Sequence, residues 1–183
     1  TVVDNRSSSL AFTASDISTA EQWVQSVFLA DMDHDGDLDI LSGGYNNGDV
    51  IWLENDGSSN PSFTQADLES NFGAIFSVFA ADLDNDGDLD SIAAGTKLSW
   101  YENNGATNPS FSGADIETGI FFYSVKAKDL DKDGDLDIIA GSGNQIAWYE
   151  NDGTANPSFT KNVIDSTGGY GVDIADVDKD GDL

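Results

Sequence analysis

Along the chain, short stretches of alternating apolar and polar residues return at a regular interval. In SVKAKD from Ser124, Val125 and Ala127 alternate with Lys126 and Lys128; in GVDIAD from Gly171, Val172 and Ile174 flank Asp173. A period of two predicts a half-buried β-strand, and SVFLAD from Ser26 and SVFAAD from Ser77 hold the same place in their repeats. The segments from Ser26, Ser77 and Ser124 are each followed by three more β-rich segments. LDILSGGY, LDSIAAGT and LDIIAGSG end in small residues, whereas DVIWLEN, KLSWYEN and QIAWYEN run into turns rich in Asn, Asp and Gly. PSFTQADLES, PSFSGADIET and PSFTKNVIDS place Pro at the first residue of a fourth strand, where a missing N–H matters least. No stretch carries a helical period.

Four short strands in a unit of about 48 residues is the pattern of a propeller blade. The expected fold class is therefore all-β: a β-propeller-type array of four-stranded antiparallel blades joined by hairpin loops, with about four blades covered. Residues 1–183 read as one array, with the end of a first blade at 1–20, blades at 21–70, 71–118 and 119–167, and the start of another at 168–183. The assignment of 1–20 rests on LAFTASDIST, in which Phe12 stands where Phe63 stands in the next fourth strand. The chain opens without Met and stops at Leu183 inside its fourth repeated motif, so it reads as a piece of a longer array.

Between the first and second strand of every unit lies a run of aspartates: DMDHDGDLDI, DLDNDGDLDS, DLDKDGDLDI and DVDKDGDL, starting at Asp31, Asp82, Asp129 and Asp176. Two carboxylates about 4 Å apart repel by roughly 4 kcal/mol at an effective dielectric of ~20, so such a cluster needs a positive charge within it. Calcium takes about 6 to 8 oxygen ligands, and carboxylates two residues apart in a tight loop can converge on one ion. Counting from the first aspartate, side chains at positions 1, 3, 5 and 9 and the carbonyl of position 7 are the expected ligands. These are Asp31, Asp33, Asp35, Asp39 and Asp37; Asp82, Asp84, Asp86, Asp90 and Asp88; and Asp129, Asp131, Asp133, Asp137 and Asp135. The fourth loop offers Asp176, Asp178, Asp180 and Asp182 and has no ninth position. One Ca2+ per loop is expected, at three complete sites and a truncated fourth. Gly36, Gly87, Gly134 and Gly181 supply the backbone freedom of the turn. An EF-hand is excluded, because its Glu at position 12 is replaced by Ser42, Ala93 and Ala140 and its helices by strands. Magnesium fits less well, since it prefers few carboxylates and keeps its waters.

The formal charge of −27 is concentrated in these loops, which hold more than half of the 34 acidic residues. Such a field repels phosphates and anionic membrane surfaces, so neither nucleic acid nor membrane insertion is expected. The absence of cysteine excludes disulfides and thiolate metal sites. With one His and no Cys, no nucleophile and base can be paired, and most carboxylates are committed to the loops; the chain reads as a non-enzyme.

At SVFAADLDNDGDLDSIAAG the chain resembles the FG-GAP repeats of integrin α-subunit propellers and the VCBS-type repeats of secreted bacterial proteins, and Phe72-Gly73 matches the FG element. The resemblance covers almost the whole chain. It implies a β-propeller, usually of seven blades, with calcium in the hairpin between the first two strands of a blade. It also implies adhesion or ligand recognition, with a protein or glycan ligand on a surface, at an extracellular or cell-surface location in a bacterium. A count of about four blades departs from that pattern. Two other readings stand beside it: a structural subunit that stacks with copies of itself into an extracellular filament or sheath, and an accessory binding module of a larger secreted enzyme.

Trp52, Trp100 and Trp148, in identical places, are expected to pack between neighbouring sheets rather than to form a sugar platform, and Phe63, Phe111 and Phe159 likewise. His34 at position 4 of its loop, where other repeats have Asn85, Lys132 and Lys179, reads as a solvent-facing filler. Asn5-Arg6-Ser7 fits the N-glycosylation triplet.

Overall fold

A computed structural model describes residues 14–19, 23–181 and 183. Phe12, the Asn5-Arg6-Ser7 triplet and Asp182 lie outside the described residues. The chain folds into three four-stranded antiparallel sheets, with no helix among the described residues. Strands β1 to β4 (Val24–Ala30, Asp39–Gly44, Val50–Asn55, Phe63–Glu69) form the first sheet in sequence order. Strands β5 to β8 (Ile75–Ala81, Asp90–Gly95, Lys97–Asn103, Phe111–Thr118) form the second, and β9 to β12 (Phe122–Lys128, Asp137–Ser142, Ile146–Asn151, Phe159–Asp165) the third. Each sheet is a simple meander, which short turns permit. Second strands such as Asp90–Gly95 are buried along their whole length because neighbouring blades cover both faces.

The blades stack through their first strands, β1 against β5 and β5 against β9. At each junction a serine hydroxyl of one first strand accepts from the backbone N–H of the next: Ser26 from Val78 at 3.1 Å, Ser77 from Val125 at 3.3 Å and Ser124 from Val172 at 3.2 Å. Farther out, Trp52 meets Phe111 and Trp100 meets Phe159 edge-on, at centroid distances of 6.0 and 6.4 Å. The two tryptophans are buried, so they are core between sheets, as expected from their fixed places. At the outer rim Tyr101 donates to Glu69 at 2.5 Å and Tyr149 to Glu117, each pairing a tyrosine with the acid of the preceding blade.

Two local expectations are corrected. The fourth strands begin at Phe63, Phe111 and Phe159, two residues after the proline. The Pro-Ser pair belongs to the turn instead, where Ser62 Oγ donates to Asp56 at 2.6 Å and the Asp56 N–H donates to the Ser62 carbonyl at 3.1 Å. Residues 171–176, where alternation predicts a strand, are irregular. Val172 still makes the junction bond to Ser124, but a hairpin partner like β2, β6 or β10 has no counterpart among the described residues that follow it.

Candidate functional site

The aspartate runs are the loops from β1 to β2, from β5 to β6 and from β9 to β10, so all three lie at the same end of the stack. Their shape follows from two left-handed residues. Position 6 is glycine, with φ of 98° to 105° in the three complete loops, and position 4 is held near +60° in His34, Asn85 and Lys132.

Within this frame the carboxylates of positions 1, 3 and 5 accept backbone N–H groups that hold the loop. Position 1 accepts from the position 6 glycine N–H, as in Gly36 to Asp31 at 3.1 Å, Gly87 to Asp82 at 3.1 Å and Gly134 to Asp129 at 3.2 Å. Position 3 accepts from the N–H of position 5 and position 5 from that of position 7, for example Asp86 to Asp84 at 3.2 Å and Asp88 to Asp86 at 2.9 Å. The carboxylates of each loop also converge. Carboxylate oxygens of Asp31, Asp33 and Asp35 lie within 4.8 Å of one another, as do those of Asp82, Asp84 and Asp86, of Asp129, Asp131 and Asp137, and of Asp176, Asp178 and Asp180. Asp31 Oδ1 and Asp82 Oδ1 are buried without any hydrogen-bond partner.

The crowding shows in the proton affinities. Burial pushes the Asp33 and Asp84 carboxyls above the ordinary carboxylate range, and neighbouring aspartates add to the push. Burial also raises Asp137 and takes Asp90 to about 7. A cation among these carboxylates would act against the effect of burial and lower them.

Position 9 has a second task. Asp39, Asp90 and Asp137 are fully buried at the start of β2, β6 and β10. Each accepts a backbone N–H from position 2 of its own loop and another from the asparagine that ends the third strand. For Asp90 these donors are Leu83 at 3.1 Å and Asn103 at 2.9 Å. Position 7 side chains turn away from the cluster and lie over Gly57, Gly105 and Gly153, where an added Cβ would sit 1.9 to 2.0 Å from a carboxylate oxygen.

Three features escaped the sequence reading. Asn55, Asn103 and Asn151 anchor the loops, and their only sequence signal is a fixed place after the WLE or WYE triplet. Glu54 is near enough to the first cluster for burial and then Asp33 to raise its carboxyl, while Glu102 and Glu150 add their charge to Asp84 and Asp131. His34 is no filler: its Nδ1 lies 3.1 Å from Asp88 of the next loop, and Asn85 Nδ2 lies 2.5 Å from Asp135 in the same relation.

At the opposite end of the first strands, roughly 20 Å from the aspartates for a run of six residues, the rings of Trp23, Tyr45, Phe76, Tyr123 and Tyr170 follow one another. Their centroids are spaced 6.2, 5.7, 4.9 and 4.7 Å apart. Trp23 and Tyr170 at the two ends of the row are 69% and 71% exposed.

The FG-GAP-like repeat matches residues 31–93 and 129–183. No curated protein matches the chain. Among solved structures, an Agrocybe aegerita lectin with specific recognition of non-reducing terminal N-acetylglucosamine is similar at a TM-score of 0.54 and 23% identity. The likeness covers 76% of this chain and 38% of the lectin chain, so this chain spans well under half of that protein.

Proposed function

The chain belongs to the FG-GAP-like repeat family, and on that premise we propose that it is a calcium-binding, non-catalytic binding module of an extracellular protein. The observation that carries the calcium reading is the pair of buried, unpartnered oxygens, Asp31 Oδ1 and Asp82 Oδ1, each in a cluster of three carboxylates. Hard oxygen donors in this number suit calcium. Asp31, Asp33, Asp35 and Asp39 with the Asp37 carbonyl would hold the ion in the first loop. Asp82, Asp84, Asp86, Asp90 and the Asp88 carbonyl would do so in the second, and Asp129, Asp131, Asp133, Asp137 and the Asp135 carbonyl in the third. Asp176, Asp178 and Asp180 would begin a fourth site. The ion supplies charge neutralisation and a fixed loop geometry, the staple that disulfides give other small secreted domains. Millimolar calcium outside cells is the regime in which moderate-affinity sites fill, which supports an extracellular or cell-surface setting.

The ligand reading rests on the other end of the blades. A row of rings exposed at its two ends, with Asn144 beside Tyr123, suits the apolar faces and hydroxyls of a glycan. The fold shared with a lectin that recognises N-acetylglucosamine is consistent with this. Isothermal titration of metal-free protein tests the calcium reading: saturable binding at the complete loops supports it, and no heat up to several millimolar calcium overturns it. A glycan array run with the wild type and with Tyr123→Ala tests the ligand reading, which fails if no glycan binds the wild type or if bound glycans ignore the substitution.

A further inference from the structure

A buried path of hydrogen bonds runs from each aspartate loop to the next. In the first loop Asp39 Oδ2 accepts from the Met32 N–H at 3.1 Å. The carbonyl of the same Met32 accepts from Asn103 Nδ2 of the second blade at 2.9 Å, and the Asn103 backbone N–H donates to Asp90 Oδ1 at 2.9 Å. The pattern then repeats. Asp90 Oδ2 accepts from the Leu83 N–H at 3.1 Å, the Leu83 carbonyl accepts from Asn151 Nδ2 at 2.7 Å, and the Asn151 N–H donates to Asp137 Oδ1 at 2.9 Å. Every residue on this path is at most 2% exposed.

The asparagine amides are fully used. Asn103 Nδ2 also reaches the Leu89 carbonyl at 3.1 Å and Asn151 Nδ2 the Leu136 carbonyl at 3.0 Å, while their Oδ1 atoms accept from Gly105 and Gly153 at 3.1 Å each. One side chain therefore holds position 8 of its own loop, position 2 of the preceding loop and, through its backbone, position 9. Position 2 lies between the carboxylates of positions 1 and 3, which converge in the cluster. Fixing positions 1 and 3 around an ion fixes the position 2 peptide, and with it the asparagine and the next position 9 carboxylate. Ordering one loop thus lowers the conformational cost of ordering its neighbour. A contiguous network of this kind is the physical means by which separate sites are coupled.

We propose that Asn103 and Asn151 couple neighbouring calcium sites, so that filling one loop raises the affinity of the next. They are positioning residues and touch no ion. This rests on the calcium reading above. The test follows the amide signals of Gly36, Gly87 and Gly134, each hydrogen-bonded to position 1 of its loop, through a calcium titration by NMR. In the wild type, Asp31→Asn with Asp33→Asn should weaken binding at the second loop by about fivefold or more, the lower range of site coupling. In an Asn103→Ala background the same two substitutions should change the second loop by less than about twofold. Asn151→Ala should leave the coupling of loops one and two intact while uncoupling two from three, a pattern that general destabilisation would not produce. Loops that fill independently in the wild type overturn the coupling and leave the calcium reading standing. Coupling that survives Asn103→Ala overturns the role of this residue, and the absence of any saturable shift at the three glycines overturns both readings.

Discussion

Replacing Asp84 with asparagine should change stability in opposite directions with and without calcium. Asp84 is 8% exposed, and one of its oxygens lies within 4.8 Å of oxygens on both Asp82 and Asp86. The substitution keeps the Oδ1 that accepts from the Asp86 N–H at 3.2 Å and removes only the charge. Two like charges at this separation repel by roughly 3 kcal/mol at an effective dielectric of ~20. In EGTA the variant relieves two such pairs, an effect reduced by salt. A melting temperature a few degrees above the wild type is expected. With calcium at ~1 mM and a dissociation constant of ~10⁻⁵ M, an occupied site stabilises the fold by roughly 2.7 kcal/mol. Loss of the second site should then lower the melting temperature by roughly 5 to 11 °C for a chain of this size. Circular dichroism melts of wild type and Asp84→Asn, each in 1 mM calcium and in EGTA, give the four values required. Shifts of the same sign in both conditions, or a wild type that melts identically with calcium and metal-free, would refute the reasoning.

Gly105→Ala should cost at least about 1 to 2 kcal/mol for the left-handed backbone alone, since φ is +62° and the new Cβ would meet Asp88 Oδ2 at 1.9 Å; Gly171→Ala, with open space around it, should be near neutral in the same denaturation assay. Trp100→Ala empties the junction between the second and third blades and should cost about 3 to 5 kcal/mol in urea unfolding. Hydrogen bonds from Ser158 and Thr154 lower the Asp152 carboxyl to about 2. A depressed carboxyl stabilises the fold above its unfolded value of 3.8 and loses that effect as pH falls through about 2. The melting gap between wild type and Asp152→Asn should therefore be full at pH 7 and close between about pH 4 and pH 2.

Much of this protein is written in its sequence, because a repeat states each structural demand several times. The strand period, the aspartate spacing and the fixed places of Trp52 and Trp100 predict blades, hairpin loops and packing between sheets, and the three observed sheets are built in that order. The loops were equally legible, since glycine at position 6 and carboxylates at every second residue are local features whose turn is closed by neighbours in the chain. What lay out of reach was every relation between blades. The place of Asn103 after the WYE triplet does not say what it binds, yet stacking brings it to the carbonyl of Met32, 71 residues away. His34 looks like an idle loop residue until the next blade places Asp88 beside it. Rings from three separate blades, Tyr45, Phe76 and Tyr123, join one row only because the first strands lie side by side. Sequence determines what each blade buries and where its charges gather; the tertiary structure decides which neighbour receives them, because hydrogen bonds and ring contacts across a junction depend on the stacking of whole sheets.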